Sequence, residues 1–369
     1  MLFRERLGTH RPVGARAGGH LPGLLALGLA GSVVLAGCGG AGGEETAAQP
    51  SGGSAAGGSL DAVCEAAAGE EQAALWYESS LPEQTDMIIT AFNDTYPEVE
   101  VEHLRLAGGN AISAQIITES QAGARTADMA TGTVDQVAEL ASRDLVQNLE
   151  KADLGITDEE LLSVPYAVST TTTFPVVVYN TDLVDDDEAP STWKELVDPK
   201  WKGQMGGYTR DGLFFANLVP EWGEAETDAY VEKFAALHPV LAESTFALAQ
   251  EIGAGARPIG LGIYHTAFDV QKTGAPIAIK VLDPAPLGPL YSVVTESSVS
   301  PQSAKCFVGW LATEEGAMAY EGATSRGNHL VPGTKTADLL EGVTTTTYLF
   351  NEVQKLAELG AKYDQVIGR

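Results

Sequence analysis

The chain has 369 residues, 44% of them hydrophobic, with 22 basic against 50 acidic residues and a formal net charge of −28. That length suits two cores better than one, and the negative charge repels phosphate backbones, which argues against nucleic acid as a partner. Beyond the N-terminal segment no stretch reaches the ~18 apolar residues of a membrane helix.

Residues 1–37 read as a targeting segment. Arg4, Arg6, Arg11 and Arg16 form a basic region, Leu21 to Ala36 is apolar or small, and the run ends in Leu35-Ala36-Gly37-Cys38. Small residues before a cysteine at that place suit a lipoprotein signal peptidase, so Cys38 is the expected lipidation site and the anchor to a membrane. An ordinary secretory signal with a chance cysteine is the alternative. Residues 38–59, mostly Gly, Ala and Ser, cannot bury enough apolar area to offset their ordering entropy and read as a flexible tether. Without the four Arg and one Glu of the signal, 18 basic and 49 acidic residues remain, or −31.

Along the mature chain, Ala73–Tyr77 predicts a buried strand. Ser80-Leu-Pro-Glu83 predicts a helix start with Ser80 as cap and Glu83 completing a capping box. Val99–Val101 alternates as a second strand, Ile112–Ala122 is a helix, and Ala127–Ala130 is a third strand followed by a helix through Leu145. This β-α-β-α order implies a mostly parallel sheet covered by helices. The Thr170–Thr173 run leads into a strand at Phe174–Tyr179. Helices follow near Leu213–Leu218 and Asp228–Leu237, then a strand at Pro258–Ile263. Further helices are expected over Ser303–Tyr320 and Thr346–Leu359. Cys64 and Cys306, an even pair in an exported chain, invite a disulfide, with two buried free thiols as the alternative. No metal-ligand spacing, nucleophile elbow or phosphate loop occurs, so no catalytic residue, metal site or cofactor is expected.

Val178-Tyr-Asn-Thr-Asp-Leu183, Pro190-Ser-Thr-Trp-Lys-Glu-Leu-Val-Asp-Pro-Lys-Trp-Lys-Gly203 and Ser300-Pro-Gln-Ser-Ala-Lys-Cys-Phe-Val-Gly-Trp-Leu311, followed by Glu314-Glu-Gly316, resemble bacterial extracellular solute-binding proteins of the ferric-iron/polyamine type. The resemblance implies an α/β, two-lobed periplasmic-binding-protein type II fold that clamps a small ligand by hinge closure. It implies ABC permease and ATPase subunits as partners and a monomer anchored on the extracytoplasmic face of the cell membrane. The lobes are expected at 60–168 plus 283–325 and at 169–282 plus 326–369. On that division the Cys306 helix joins the first lobe, where Cys64 precedes the first strand, so the bridge would lie within one lobe.

Ligands of parallel α/β sheets sit beyond the carboxyl ends of the strands, where helix N-termini favour anions. The candidate ligand-binding residues there are Ser79, Ser80, Asn110, Thr131, Gly132, Thr133, Thr171, Tyr208, Thr209, Arg210, Tyr264 and His265, with Glu78 and Gly109 beside them. For Ser80 and Thr133, helix capping is the competing role. Hydroxyls, backbone donors and one Arg suit a carboxylate, phosphate ester or phosphonate. The family's ferric ligands, a His, a Glu and a Tyr-Tyr pair, fall on Leu81, Thr133 and Tyr264-His265, so iron is the second expectation. A secreted hydrolase built on Ser79 or Ser80 with His265 and Asp269, and a receptor-linked sensor, are readings of other classes.

Overall fold

The computed structural model describes residues 59–107, 110–158, 160–162, 164–348 and 350–368. The signal, Cys38, nearly all of the tether and Gly109 lie outside the described residues. In chain order the strands are β1 (Ala74–Glu78), β2 (Val101–Arg105), β3 (Met129–Thr133), β4 (Val168–Thr173), β5 (Pro175–Asn180), β6 (Met205–Tyr208), β7 (Val240–Ala242), β8 (Ile259–Ile263), β9 (Ile277–Val281), β10 (Ala285–Pro286), β11 (Gly288–Val294) and β12 (Thr345–Thr346).

They form two five-stranded sheets, ordered β2-β1-β3-β11-β4 and β7-β6-β8-β5-β9, and a small pair β10-β12. In the first sheet β1 runs parallel to β2 and β3, while β11 is antiparallel to β3 and β4. In the second, β6 is parallel to β7 and β8, and β5 is antiparallel to β8 and β9. Both sheets are covered on both faces, which explains the continuous apolar runs. On β1, Trp76 faces a core with Ile88, Phe92, Phe307 and Trp310, while Tyr77 faces Ile112, Ile116, Val137 and Leu140. On β5, Val177 and Tyr179 join Trp193, Trp201 and Phe234, while Val176 and Val178 join Leu248 and Ile252. Trp193 and Trp201 of the family-like segment are thus core residues of the second lobe.

The chain crosses between sheets at Phe174 and again at 282–287. The expected lobe boundary after residue 168 is corrected, because β4 pairs with β11 and carries 169–173 with the first sheet. Residues 327–331, expected in the second lobe, also lie on the first. The Gly327 carbonyl accepts from the Thr172 N–H at 2.7 Å, and Val331 enters the Trp76 core.

Local signals shift some helix ends. Ser80 does not cap its helix, which spans Pro82–Thr95 with Leu81 as N-cap, and Gln84 Oε1 accepts from the Leu81 N–H at 3.1 Å. The run expected as one helix from Ser303 is two, Pro301–Leu311 and Glu314–Thr324, because Thr313 caps the second by accepting from Gly316 N–H at 3.1 Å. The last helix is Val353–Ile367 and not 346–359, since Thr345–Thr346 is spent pairing with β10. Ahead of β1, Ser59 caps a helix at Leu60–Ala67. Its Cys64 is disulfide-bonded to Cys306 with Cα atoms 4.9 Å apart, and both lie in the first lobe's core.

Candidate functional site

The carboxyl ends of β3, β6 and β8 converge where the two sheets face each other. A cavity of about 420 Å³ lies there. The first lobe contributes Asn110, Thr133 and Asp135, the second Tyr208, Arg210, Phe214 and Ile263, and the crossing strands Thr173 and Leu290. The Val353–Ile367 helix closes one side with Leu356, Gly360 and Asp364. It can approach closely because Gly212 opens the Gly212–Ala216 helix: a Cβ there would collide with the Gly360 carbonyl, and Asp364 Oδ1 accepts the Gly212 N–H at 2.8 Å. A larger groove of about 690 Å³ follows the outer face of the last helix past Glu224 and Lys362, and it touches only the second lobe.

Arg210 is exposed, and its guanidinium makes no hydrogen bond or ion pair among the described residues, while its carbonyl accepts from the Leu213 N–H at 3.4 Å. Burial raises the Asp364 carboxyl above its ordinary range, while the Gly212 N–H and the Arg210 charge pull it back. Asp211, fully buried and accepting from Tyr208 N–H at 2.8 Å, is pushed well up by burial.

A second polar group sits at the end of β1. Glu78 is fully buried. It accepts from Ser79 Oγ at 3.2 Å, from the Ser80 N–H and from Tyr320 OH at 3.0 Å, with Arg326 Nη1 at 3.7 Å. Arg326 Nη2 donates to Ser80 Oγ at 2.7 Å. Arg326 Nε and His265 Nδ1 are buried without a hydrogen-bond partner. Burial, then the Arg326 charge, pushes the His265 pKa well down, so the ring is neutral at physiological pH.

Of the twelve candidates, Asn110, Thr133, Tyr208 and Arg210 line the cavity, while Ser79, Ser80 and His265 belong to the Glu78–Arg326 group. Others are engaged elsewhere. Thr131 accepts from Trp76 Nε1 at 3.0 Å and shares a 2.7 Å hydrogen bond with Ser292, so its hydroxyl is used inside the sheet. Gly132 is buried where a Cβ would meet Gln136. Thr171 is fully buried within β4, its hydroxyl without a partner. Thr209 is half-buried, its N–H bonded to the Ala242 carbonyl at 3.2 Å. Tyr264 stacks between Phe174 and Phe268, at 5.1 and 5.5 Å, and faces a different groove beside Lys335. Its hydroxyl is pushed up to about 12, first by burial and then by Glu321 and Asp269. Leu81, at the family's His position, is exposed. Among the described residues no three His, Cys, Asp or Glu side chains are grouped to hold a metal ion. The imagined Ser80–His265–Asp269 relay is not assembled, because Ser80 is held by Arg326 and Asp269 by Ser325 and Lys272.

Sequence reasoning missed Arg326 and Asp364, and it gave the last helix without its place at the side of the cavity. Arg326 lies in a plain Ser-Arg-Gly-Asn stretch, and its partner Ser80 is 246 residues away.

Two α/β lobes joined by crossing strands, with a cavity between their strand ends that sets a few polar side chains in a largely apolar lining, define a type II periplasmic-binding-protein fold. The chain belongs to the bacterial extracellular solute-binding protein family, whose model matches residues 87–351. The fold is similar to that of iron-bound HitA from Pseudomonas aeruginosa, at 18% identity over 80% of this chain and 99% of that one, with a TM-score of 0.66. It is also similar to AfuA from Actinobacillus pleuropneumoniae with fructose-6-phosphate bound, at 19% identity over 81% and 99%, with a TM-score of 0.60. An uncharacterized protein of Haemophilus influenzae is 29% identical over 140 residues, which is 35% of this chain. The match spans only 39% of that relative's length.

Proposed function

We propose that this protein is the solute-capturing component of an ABC importer, and that its interlobe cavity takes a small organic anion such as a phosphonate, phosphate ester or carboxylate. Permease and ATPase subunits would receive the ligand, and Cys38 would anchor the protein on the extracytoplasmic face of the membrane. The observation that carries the ligand class is Arg210, whose guanidinium lines the cavity between the lobes and makes no ion pair within 4 Å among the described residues. Asn110 and Thr133 line the cavity from the other lobe; Thr133 is also the N-cap of the helix that starts at Val134, and both can offer hydrogen bonds to an anion. Asp135 and Asp364 share the cavity. They favour anions that also carry hydroxyl or amino donors over bare phosphate. Iron of the family's usual kind is disfavoured by the exposed Leu81 and by a Tyr264 phenol stacked away from the cavity.

The test is calorimetric titration of the folded part with methylphosphonate, glycerol phosphate and dicarboxylates. Arg210→Ala should weaken the best binder by ~1.5–3 kcal/mol, the worth of a charge-assisted hydrogen bond. Retained affinity in that variant, or a visible tyrosinate-to-iron band on adding ferric citrate, would overturn the reading.

A further inference from the structure

Ser325 and Arg326, adjacent in the chain, hold opposite lobes. The turn they form ends the Glu314–Thr324 helix, and Ser325 takes the left-handed conformation at φ 58°. Most of the turn's anchors lie on the first lobe. Arg326 Nη2 donates to Ser80 Oγ at 2.7 Å, its Nη1 stands 3.7 Å from the buried Glu78, and Gly327 pairs with β4. The Ser325 hydroxyl points the other way. It donates to Asp269 Oδ1 at 2.7 Å and accepts from Lys272 Nζ at 2.8 Å. Asp269 and Lys272 lie on the Tyr264–Lys272 helix, which follows β8 of the second sheet, and they pair with each other at 2.7 Å.

We propose that Ser325 is a latch between the lobes, held in place by Arg326 as a positioning residue, and that it biases the ligand-free protein toward the closed arrangement. The left-handed backbone at Ser325 costs energy for a residue other than glycine. That cost places the hydroxyl between an acid and a base of the other lobe, where it completes both as donor and as acceptor. Arg326 fixes the turn by an ion pair that is nearly buried, with 13% of its side chain and none of Glu78 exposed. The ligand need touch neither residue, yet closing the cleft around it makes the Ser325 contacts. Ligand affinity therefore contains the latch's contribution, by the reciprocity of linked equilibria.

The test measures interlobe distance without ligand. Spin labels on Asp94→Cys and Glu232→Cys, both exposed and on helices of different lobes, report the distribution by pulsed electron resonance. Ser325→Gly removes the hydroxyl and tolerates the left-handed backbone. It should lower the closed-to-open ratio by at least about threefold, the worth of one net hydrogen bond, since the hydroxyl both donates to Asp269 and accepts from Lys272. Arg326→Met should lower it as well. Since that change leaves Glu78 buried without its cation, Ser325→Gly is the deciding variant. A distribution for Ser325→Gly that superposes on the parent's overturns the latch, and so does a change seen in Arg326→Met alone. The proposal rests on the clamp reading above, but this measurement uses no ligand. Its failure leaves the anion site standing, and a failed anion titration leaves the latch standing.

Discussion

Removing the disulfide probes how the first lobe is held. In Cys64→Ala/Cys306→Ala the unfolded chain is released from a loop closed over a separation of 242 residues. Chain entropy puts that at about 5 kcal/mol, and measured losses commonly fall at 2–5 kcal/mol. Both cysteines are buried in the Trp76 core, at 3% and 0% exposure, so alanine adds a small void and no unsatisfied polar group. The assay is urea unfolding followed by tryptophan fluorescence. Trp76 and Trp310 report the first lobe, and Trp193 and Trp201 the second. The first-lobe transition should move to lower urea by an amount equal to ~2–5 kcal/mol, while the second-lobe transition stays. Anion affinity should remain within about twofold, because the bridge lies in one lobe and does not span the cleft. A loss under ~1 kcal/mol, or a shift in the second-lobe transition alone, would refute the reasoning.

His329 should make stability fall in mild acid. Burial brings its pKa down to about 4, with Nδ1 2.7 Å from Thr172 Oγ1. The folded state keeps the ring neutral, so its contribution is complete above the unfolded value of ~6.5 and is lost as pH falls toward 4, about 3 kcal/mol in all. Thermal melts from pH 7.5 to 4 should show a shallower decline in His329→Gln than in the parent, and parallel curves would reject the assignment. Gly212→Ala should cost ~1–3 kcal/mol by overpacking the contact with Gly360 and Asp364 and should also weaken the anion. Parent-like melts and affinity would show that the last helix can move aside freely.

Much of the framework was legible in the sequence because it is local. The apolar stretches at Trp76–Tyr77 and Val176–Val178 announce strands buried on both faces, and the Pro190–Gly203 segment carries the family resemblance. Positions after strands led to Asn110, Thr133, Tyr208 and Arg210. The misses have a common cause. Whether Thr131 meets a ligand or Ser292, and whether Tyr264 faces the cavity or Phe268, depends on contacts distant in sequence. Strand order alone does not decide them. Arg326 is the extreme case, since nothing near it in the chain hints at Ser80. The break at Thr313 was a readable signal that helical periodicity obscured: a threonine followed by two acids is a helix start.

The position of β11 has a consequence for the order of assembly. The second sheet is complete within one continuous stretch, from β5 to β9, and every strand it needs lies in that interval. The first sheet is interrupted by it: β4 touches its sheet only through β11, which arrives more than a hundred residues later. A chain emerging from its N-terminus can therefore finish the second sheet while β1, β2 and β3 still present an open edge at β3. The pairing of β11 between β3 and β4 is the long-range step, the kind that slows folding because loop entropy is lost before contacts repay it. Until then the β3 edge stays unpaired, one of the places where a chaperone or a misfolded neighbour would bind.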